Sequence, residues 1–255
     1  MKNFLSVKRC AAAVCAALLA AAAVGCAKMP SKQYYVLNYV PQPMAARAMP
    51  NPYACVVRLK EFSIEDAYNR SQIVYRLSPY ELRYYNYRMW AVKPTRMVTD
   101  LVFKHLNAVE LVSGVVRRFD EGRKPDYELS GSIEALEEYD SEDLLFAHIA
   151  LRVNLTRLSD GGNIYSRHFD VRKKVFRREA DFVIREMSQI MEYILTQAIT
   201  DIDSKLAAEF GMNGAGGPGI IPVEEPNFVT GASDASDTSG VTDISDVPEN
   251  ERDKK

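Results

Sequence analysis

The chain has 255 residues, 47% of them hydrophobic and 26% charged, with a formal net charge of −2. That balance offers nucleic acid no bulk positive charge to bind, and it is rich enough in apolar residues to bury a core. The charge is unevenly spread: residues 1–25 carry +3, residues 26–210 carry +1, and residues 211–255 hold nine acidic and three basic side chains. The two ends read as non-globular, which leaves one core domain of about 160 residues.

Residues 1–26 combine a basic start (Lys2, Lys8, Arg9), an apolar run from Ala11 to Val24, and small residues before a cysteine. The run is shorter than the roughly 20 residues a membrane span needs, so it reads as a secretory signal. Ala23-Val-Gly-Cys26 fits a lipobox, the signal for diacylglyceryl transfer to Cys26 and cleavage before it. Ala23 stands where Leu is usual, and an ordinary signal cut near Gly25 or Ala27 is the other reading. Two or three acyl chains, at about 0.8 kcal/mol per buried CH₂, hold a protein on a bilayer almost permanently. Ala27 rather than Asp follows the cysteine, which points to the periplasmic face of the outer membrane. Cys10 and Cys15 leave with the signal, and Cys55 is then a lone buried thiol in a strand.

Residues 26–53 form a tether with a short strand over 34–40, followed by a stiff connection through Pro41, Pro43, Pro50 and Pro52. The domain proper spans 54–210. A strand over 54–62 sets Cys55, Val57 and Leu59 on one face and Val56, Arg58 and Lys60 on the other. After a loop over 65–70, residues 72–77 and 81–88 form a hairpin about Ser78-Pro79. Pro94 opens a helix over 94–109, with Met97, Val98, Leu101, Val102, His105 and Leu106 as its apolar stripe. A strand over 112–117 follows, and 122–125 break it.

Three alternating segments over 126–139, 145–155 and 164–176 make an antiparallel meander whose polar face is open to water. A slip of phase falls near Ala135-Leu136, and Ser159-Asp-Gly-Gly-Asn163 is turn chemistry. Residues 179–210 form a long helix with Val183, Met187, Ile190, Ile194, Ala198, Ile202 and Leu206 on one stripe, and Gly211 suits its C′ position. The tail over 211–255 has the composition of disorder. The fold class is therefore α+β: an antiparallel or mixed sheet with two helices on one face.

The segment 69–97 holds the single tryptophan, Trp90, and five tyrosines. Its pattern, Arg70-x-x-Ile-Val-x-Arg76, a Tyr-rich strand, Arg88-x-Trp90-Ala91 and Pro94 before a helix, resembles the auxiliary lipoprotein of ABC-type transport systems. Tyr35-Val-Leu37 is similar to that family's opening strand, and the likeness covers roughly residues 34–210. The family is the periplasmic partner in Mce/Pqi-type lipid-trafficking machines. The resemblance implies a non-enzymatic role beside Mce-domain and permease/ATPase subunits, with Arg70, Arg76, Trp90 and Pro94 as structural positions. A bound phospholipid and self-association stay open.

Bottom-up, no catalytic constellation emerges: there is no nucleophile elbow, paired-His helix motif or phosphate-loop lysine. His148 and His168 fall on neighbouring strands, but no Cys or carboxylate at ligand spacing supports a metal site, and no cofactor is expected. Glu137, Glu138 and Asp140 read as a solvated acidic turn. Tyr85, Tyr87 and Arg88 are the candidate partner-binding residues, since Tyr, Trp and Arg concentrate at interface hot spots; a half-buried strand beneath a helix is the competing reading. The basic run over 172–178 reads either as a headgroup or acidic-partner contact or as a solvated strand end. A lipid- or lipopolysaccharide-assembly chaperone, with an acyl chain held between sheet and helix, is the alternative function, and a hydrolase is a third.

Overall fold

The computed structural model describes residues 30–41, 52–117, 123–141 and 144–211, and the backbone of 228–230. Cys26 and the signal, Pro43 and Pro50 of the connection, and the rest of the tail lie outside the described residues. In chain order the elements are β1 (Gln33–Tyr35), β2 (Tyr53–Leu59), β3 (Ser63–Ile64), β4 (Gln72–Ser78), β5 (Glu81–Trp90), α1 (Pro94–Val109), β6 (Val112–Val116), β7 (Tyr127–Ser141), β8 (Leu144–Arg157), β9 (Asn163–Val175), α2 (Ala180–Glu209) and β10 (Phe228–Thr230).

β7 is the spine. One edge pairs antiparallel with β8 along its whole length, while the other takes β2, β3 and β4 in succession, all parallel. The sheet is mixed, ordered β1-β5-β4-β7-β8-β9-β10, with β6 on the outer side of β2. The slip of phase expected near Ala135 is present: the register of β7 against β8 shifts between Ile133 and Ala135. It turns Leu136 and Glu138 to the side that Leu129 and Ile133 face, and leaves Ala135 and Glu137 on the opposite side.

Both helices cover one face and share a single core with it, in which Ile149, Leu151, Met187, Ile190 and Ile194 are completely enclosed. Where the chaperone reading would seat an acyl chain between sheet and helix, these side chains fill the interface. Pro94 occupies the first turn of α1, where its missing N–H leaves no bond unmade. α2 spans 30 residues, about 45 Å, long enough to cross the strands diagonally. Gly211 follows it at φ 75°, the left-handed conformation that suits glycine after a helix. The buried Tyr53 hydroxyl ties β2 to α2, donating to Asp203 Oδ1 at 2.7 Å and to the Asp203 carbonyl at 3.0 Å. Cys55 is a free, buried thiol, and burial, followed by nearby Asp126, pushes its pKa up to about 11.

Three expectations change. The opening strand covers Gln33–Tyr35 and not 34–40, because it pairs with β5 only over Arg88–Trp90 and then leaves the sheet edge. The next amides find other acceptors: Leu37 N–H meets Met97 Sδ at 3.3 Å and Asn38 N–H donates to Ser188 Oγ at 3.1 Å. Part of the tail is also ordered as β10, since the outer edge of β9 is free to take a short β-forming segment. Third, the polar face of the meander is dry at its centre. Residues 65–70 fold over it and, with Leu82 and Tyr84 of β5 packed alongside, bury a second cluster, Tyr68, Val74, Ala135 and Ala150.

Candidate functional site

Two polar centres grow from the middle of the sheet, one on each face. On the face away from the helices, Glu137 is 1% exposed and makes three contacts. Its Oε1 accepts from Arg76 Nε at 2.8 Å and lies 3.0 Å from His148 Nδ1, while its Oε2 accepts from the Tyr68 hydroxyl at 2.7 Å. His148 Nε2 lies 3.0 Å from Asp170 Oδ1 on β9. Glu137 and Glu138 are therefore buried, one in each centre, and do not form a solvated turn. The expected strand already ran to Tyr139; what the turn reading lacked was the cross-strand register, which sets Glu137 opposite His148, one strand over. That register was the available signal for the network.

Both ring nitrogens of His148 face carboxylates, so the imidazolium form alone donates to both. Burial opposes its charge, but the hydrogen bonds it donates to Asp170 and Glu137 outweigh that and raise its pKa above the ordinary 6.5. Burial likewise works against ionised Glu137, and His148, Arg76 and Tyr68 overcome it and hold the carboxyl below its ordinary value. Asp170 is held low chiefly by its bond to His148. Arg172, the register neighbour of His148 on β9, is the other charge nearby.

The signs of the pH dependence follow. A raised histidine contributes stability that is complete below its unfolded value and lost as pH rises through its folded one. Depressed carboxyls contribute above their unfolded values and lose it as pH falls through their folded ones. The contact is worth most where all three are charged, between about pH 4.5 and about pH 6.5. Between about pH 6 and about pH 9 the urea midpoint should fall more for the native protein than for His148→Gln; equal slopes would remove this contact as the cause.

On the helix-facing side, Glu138 is also buried. Tyr85 hydroxyl donates to its Oε1 at 3.0 Å, and Arg88 Nη1 lies 3.9 Å from its Oε2. Burial raises the Glu138 pKa despite these partners. Arg88 stacks over the Tyr85 ring at 4.3 Å, and Tyr75 packs against the same ring with centroids 4.5 Å apart. Above this stack opens a groove of about 640 Å³, lined by Tyr75, Tyr84, Tyr85, Tyr87 and Arg88 of the hairpin and by Pro30, Ser31 and Gln33 of the incoming chain. The structure thus brings Tyr85, Tyr87 and Arg88 to one surface. Beside the groove the outer edge of β5 has no strand beside it over residues 81–87 among the described residues, because β1 pairs only with Arg88–Trp90.

The other positions singled out in the sequence have framework surroundings. Arg70 stacks over Tyr84 at 3.7 Å, Arg76 holds the Glu137 centre, Trp90 is buried in the main core, and Pro94 starts α1. His168 pairs with Glu134 at 2.9 Å, four residues along the ladder from His148's partner, so the two histidines do not converge. Of the basic run, Lys173 meets Glu186 at 2.7 Å and Arg178 meets Asp140 at 2.7 Å. No group of three or more His, Cys, Asp or Glu able to hold a metal ion occurs among the described residues.

A mixed sheet with two helices on one face, its first strand reached by a chain that starts with a lipoprotein-like signal, defines a tethered α+β domain. The family model for the ABC-type transport auxiliary lipoprotein component matches residues 35–199, and the chain belongs to that family. Among solved structures it is similar to protein XCC0632 from Xanthomonas campestris, a DUF330 protein, at 21% identity and a TM-score of 0.61, over 69% of this chain and 99% of that one. It is also similar to an uncharacterized protein at 13% identity and a TM-score of 0.50, over 71% of this chain and 99% of that one. Both likenesses are of fold. Among curated proteins none matches.

Proposed function

We propose that this protein is the non-enzymatic adaptor of an Mce/Pqi-type lipid transport system, acylated at Cys26 and held at the periplasmic face of the outer membrane. Its task is to dock the Mce-domain subunits, which work with the permease and ATPase, through the β5 edge and the groove beside it. The observation that carries this reading is the open edge of β5 set next to Tyr85, Tyr87 and Arg88. An unpaired strand edge offers a row of N–H and C=O groups to an added strand, and aromatic side chains alongside it supply selectivity. Arg88 and Tyr85 are held in place by the buried Glu138, so they meet a partner already ordered, which lowers the entropic cost of docking.

Tyr87 is exposed, so Tyr87→Ala leaves the fold intact while removing a hot-spot side chain. Combined with Tyr85→Ala it should weaken co-purification of the Mce-domain subunit by roughly 2 kcal/mol, about thirty-fold in Kd. Unchanged capture by a folded double variant would take these residues out of the docking surface.

A further inference from the structure

The end of the sheet at which the chain enters also carries its most exposed aromatic side chains. β1 runs parallel to β5 with Gln33 beside Arg88, so the chain before it leads back toward Glu81, where β5 begins. Register carries that level across the sheet: Ser78 faces Glu81, Arg76 stands beside Tyr139, Ser141 faces Leu144, and Leu145 faces Val175. The β4–β5 turn, the junction of β7 with β8, and the passage from β9 into α2 therefore share one end with the incoming chain. At this end stand Tyr80, 98% exposed, and Phe176, 86% exposed, the two most exposed large hydrophobic side chains among the described residues, with Leu144 at 39%. The Lys174 ammonium lies 5.7 Å from the Phe176 ring centre, and Arg177 stacks over Phe182 at 4.9 Å.

Cys26 precedes Pro30 by four residues, at most about 14 Å of extended chain, so an acyl group on it keeps this end close to the bilayer. β1 and β9 stand five strand spacings apart, about 24 Å, which separates the anchor from Phe176 laterally. A single tether leaves orientation free; a second contact at that distance sets it. Aromatic rings with a polar rim prefer the membrane–water interface, and neighbouring Lys and Arg extend to the phosphates. The charge here is mixed: Arg83, Lys174, Arg177 and Arg178 stand with Glu81, Asp140 and Glu179, and the sequence adds Glu142 and Asp143. That mixture matches a zwitterionic headgroup layer rather than an anionic one.

We propose that this end seats in the phospholipid headgroup layer, with Phe176 and Tyr80 entering the interface, so that the sheet stands end-on and the open β5 edge runs away from the membrane. The inference rests on the proposed acylation of Cys26. To test it, the full acylated protein is placed in phosphatidylethanolamine/phosphatidylcholine vesicles, with a dansyl label on Phe176→Cys, Tyr80→Cys or, at the opposite end, Ser159→Cys. Buried Cys55 is protected from the label in the native protein. Labels at 176 and 80 should shift their emission to the blue and be quenched by bromolipid, while the label at 159 stays as in water. Vesicle-bound protein with all three labels in water, or with all three shifted alike, overturns the proposal and leaves the adaptor reading standing. Shifts at 176 and 80 only after a protein partner is added overturn it in favour of a protein contact. Mass spectrometry showing no acyl group on Cys26 would overturn both this proposal and the anchor on which it rests.

Discussion

Replacing Arg76 with Met should cost roughly 3 kcal/mol of stability, read as a fall in the urea midpoint at an unchanged m-value. The side chain is of similar length, so little packing is lost. What is lost is the cation against Glu137, together with the Arg76 Nη2 bond to the Tyr68 hydroxyl at 2.9 Å and the Nη1 bond to the Pro79 carbonyl at 3.2 Å. Glu137 is then a buried carboxylate supported by Tyr68 and His148 alone. Removing one member of such a set destabilises far more than the intact set contributes over an apolar replacement, because a charge is left without its partner. Adding Glu137→Gln should therefore recover part of the loss, since the neutral amide carries no charge to strand. If the double variant is as unstable as the sum of the two single ones, the damage lies in the Tyr68 and Pro79 bonds and not in the carboxylate.

Gly131→Ala should cost about 3 kcal/mol, near the upper end for one added methyl group. Gly131 lies in the middle of β7, facing the helices. A Cβ built there falls far inside van der Waals contact of both the Phe62 ring and the Arg152 carbonyl. The ring is itself fixed: Phe62 is 1% exposed and its N–H donates to Thr99 Oγ1 at 3.0 Å. Phe62→Leu would remove only half of the conflict, because the Arg152 carbonyl is part of the β7–β8 ladder and cannot step aside. Thermal unfolding of Gly131→Ala in the Phe62→Leu background should still show a clear penalty against Phe62→Leu alone. A penalty that vanishes there would mean that the ring, not the backbone, sets the limit.

The two variants probe one region from opposite faces. β7 takes β2, β3, β4 and β8 along its length, and its two faces carry the tight contact at Gly131 and the polar network of Glu137. The candidate docking edge is the reverse case. In the sheet β4 separates β5 from this spine, β5 reaches it by the side chains of Tyr85 and Arg88, and its outer side over residues 81–87 has no strand beside it among the described residues. A firm centre with an open edge suits the proposed docking role: Glu138, at the centre, fixes Tyr85 and Arg88 at the edge.

Local sequence alone determined the long elements, because it carries the periods that make them. The strict alternation of Leu145 to Leu155, the Pro94 start and Met97–Leu106 stripe of α1, and the heptad-like stripe of α2 each state their own structure without reference to the rest of the chain. The phase slip near Ala135 and the glycine ending α2 were legible for the same reason. The segment 69–97 carried the family likeness, and it also held Tyr85, Tyr87 and Arg88 of the candidate groove. Only the tertiary structure decided that Glu137 and His148 are dry, that β7 pairs with three parallel strands on one edge, and that β5 keeps an open edge. Each depends on which distant segment lies alongside: residues 65–70 cover Glu137, and Phe62 fills the space above Gly131. Burial of a polar residue is a property of its neighbours across the sheet, and no window along the chain contains them.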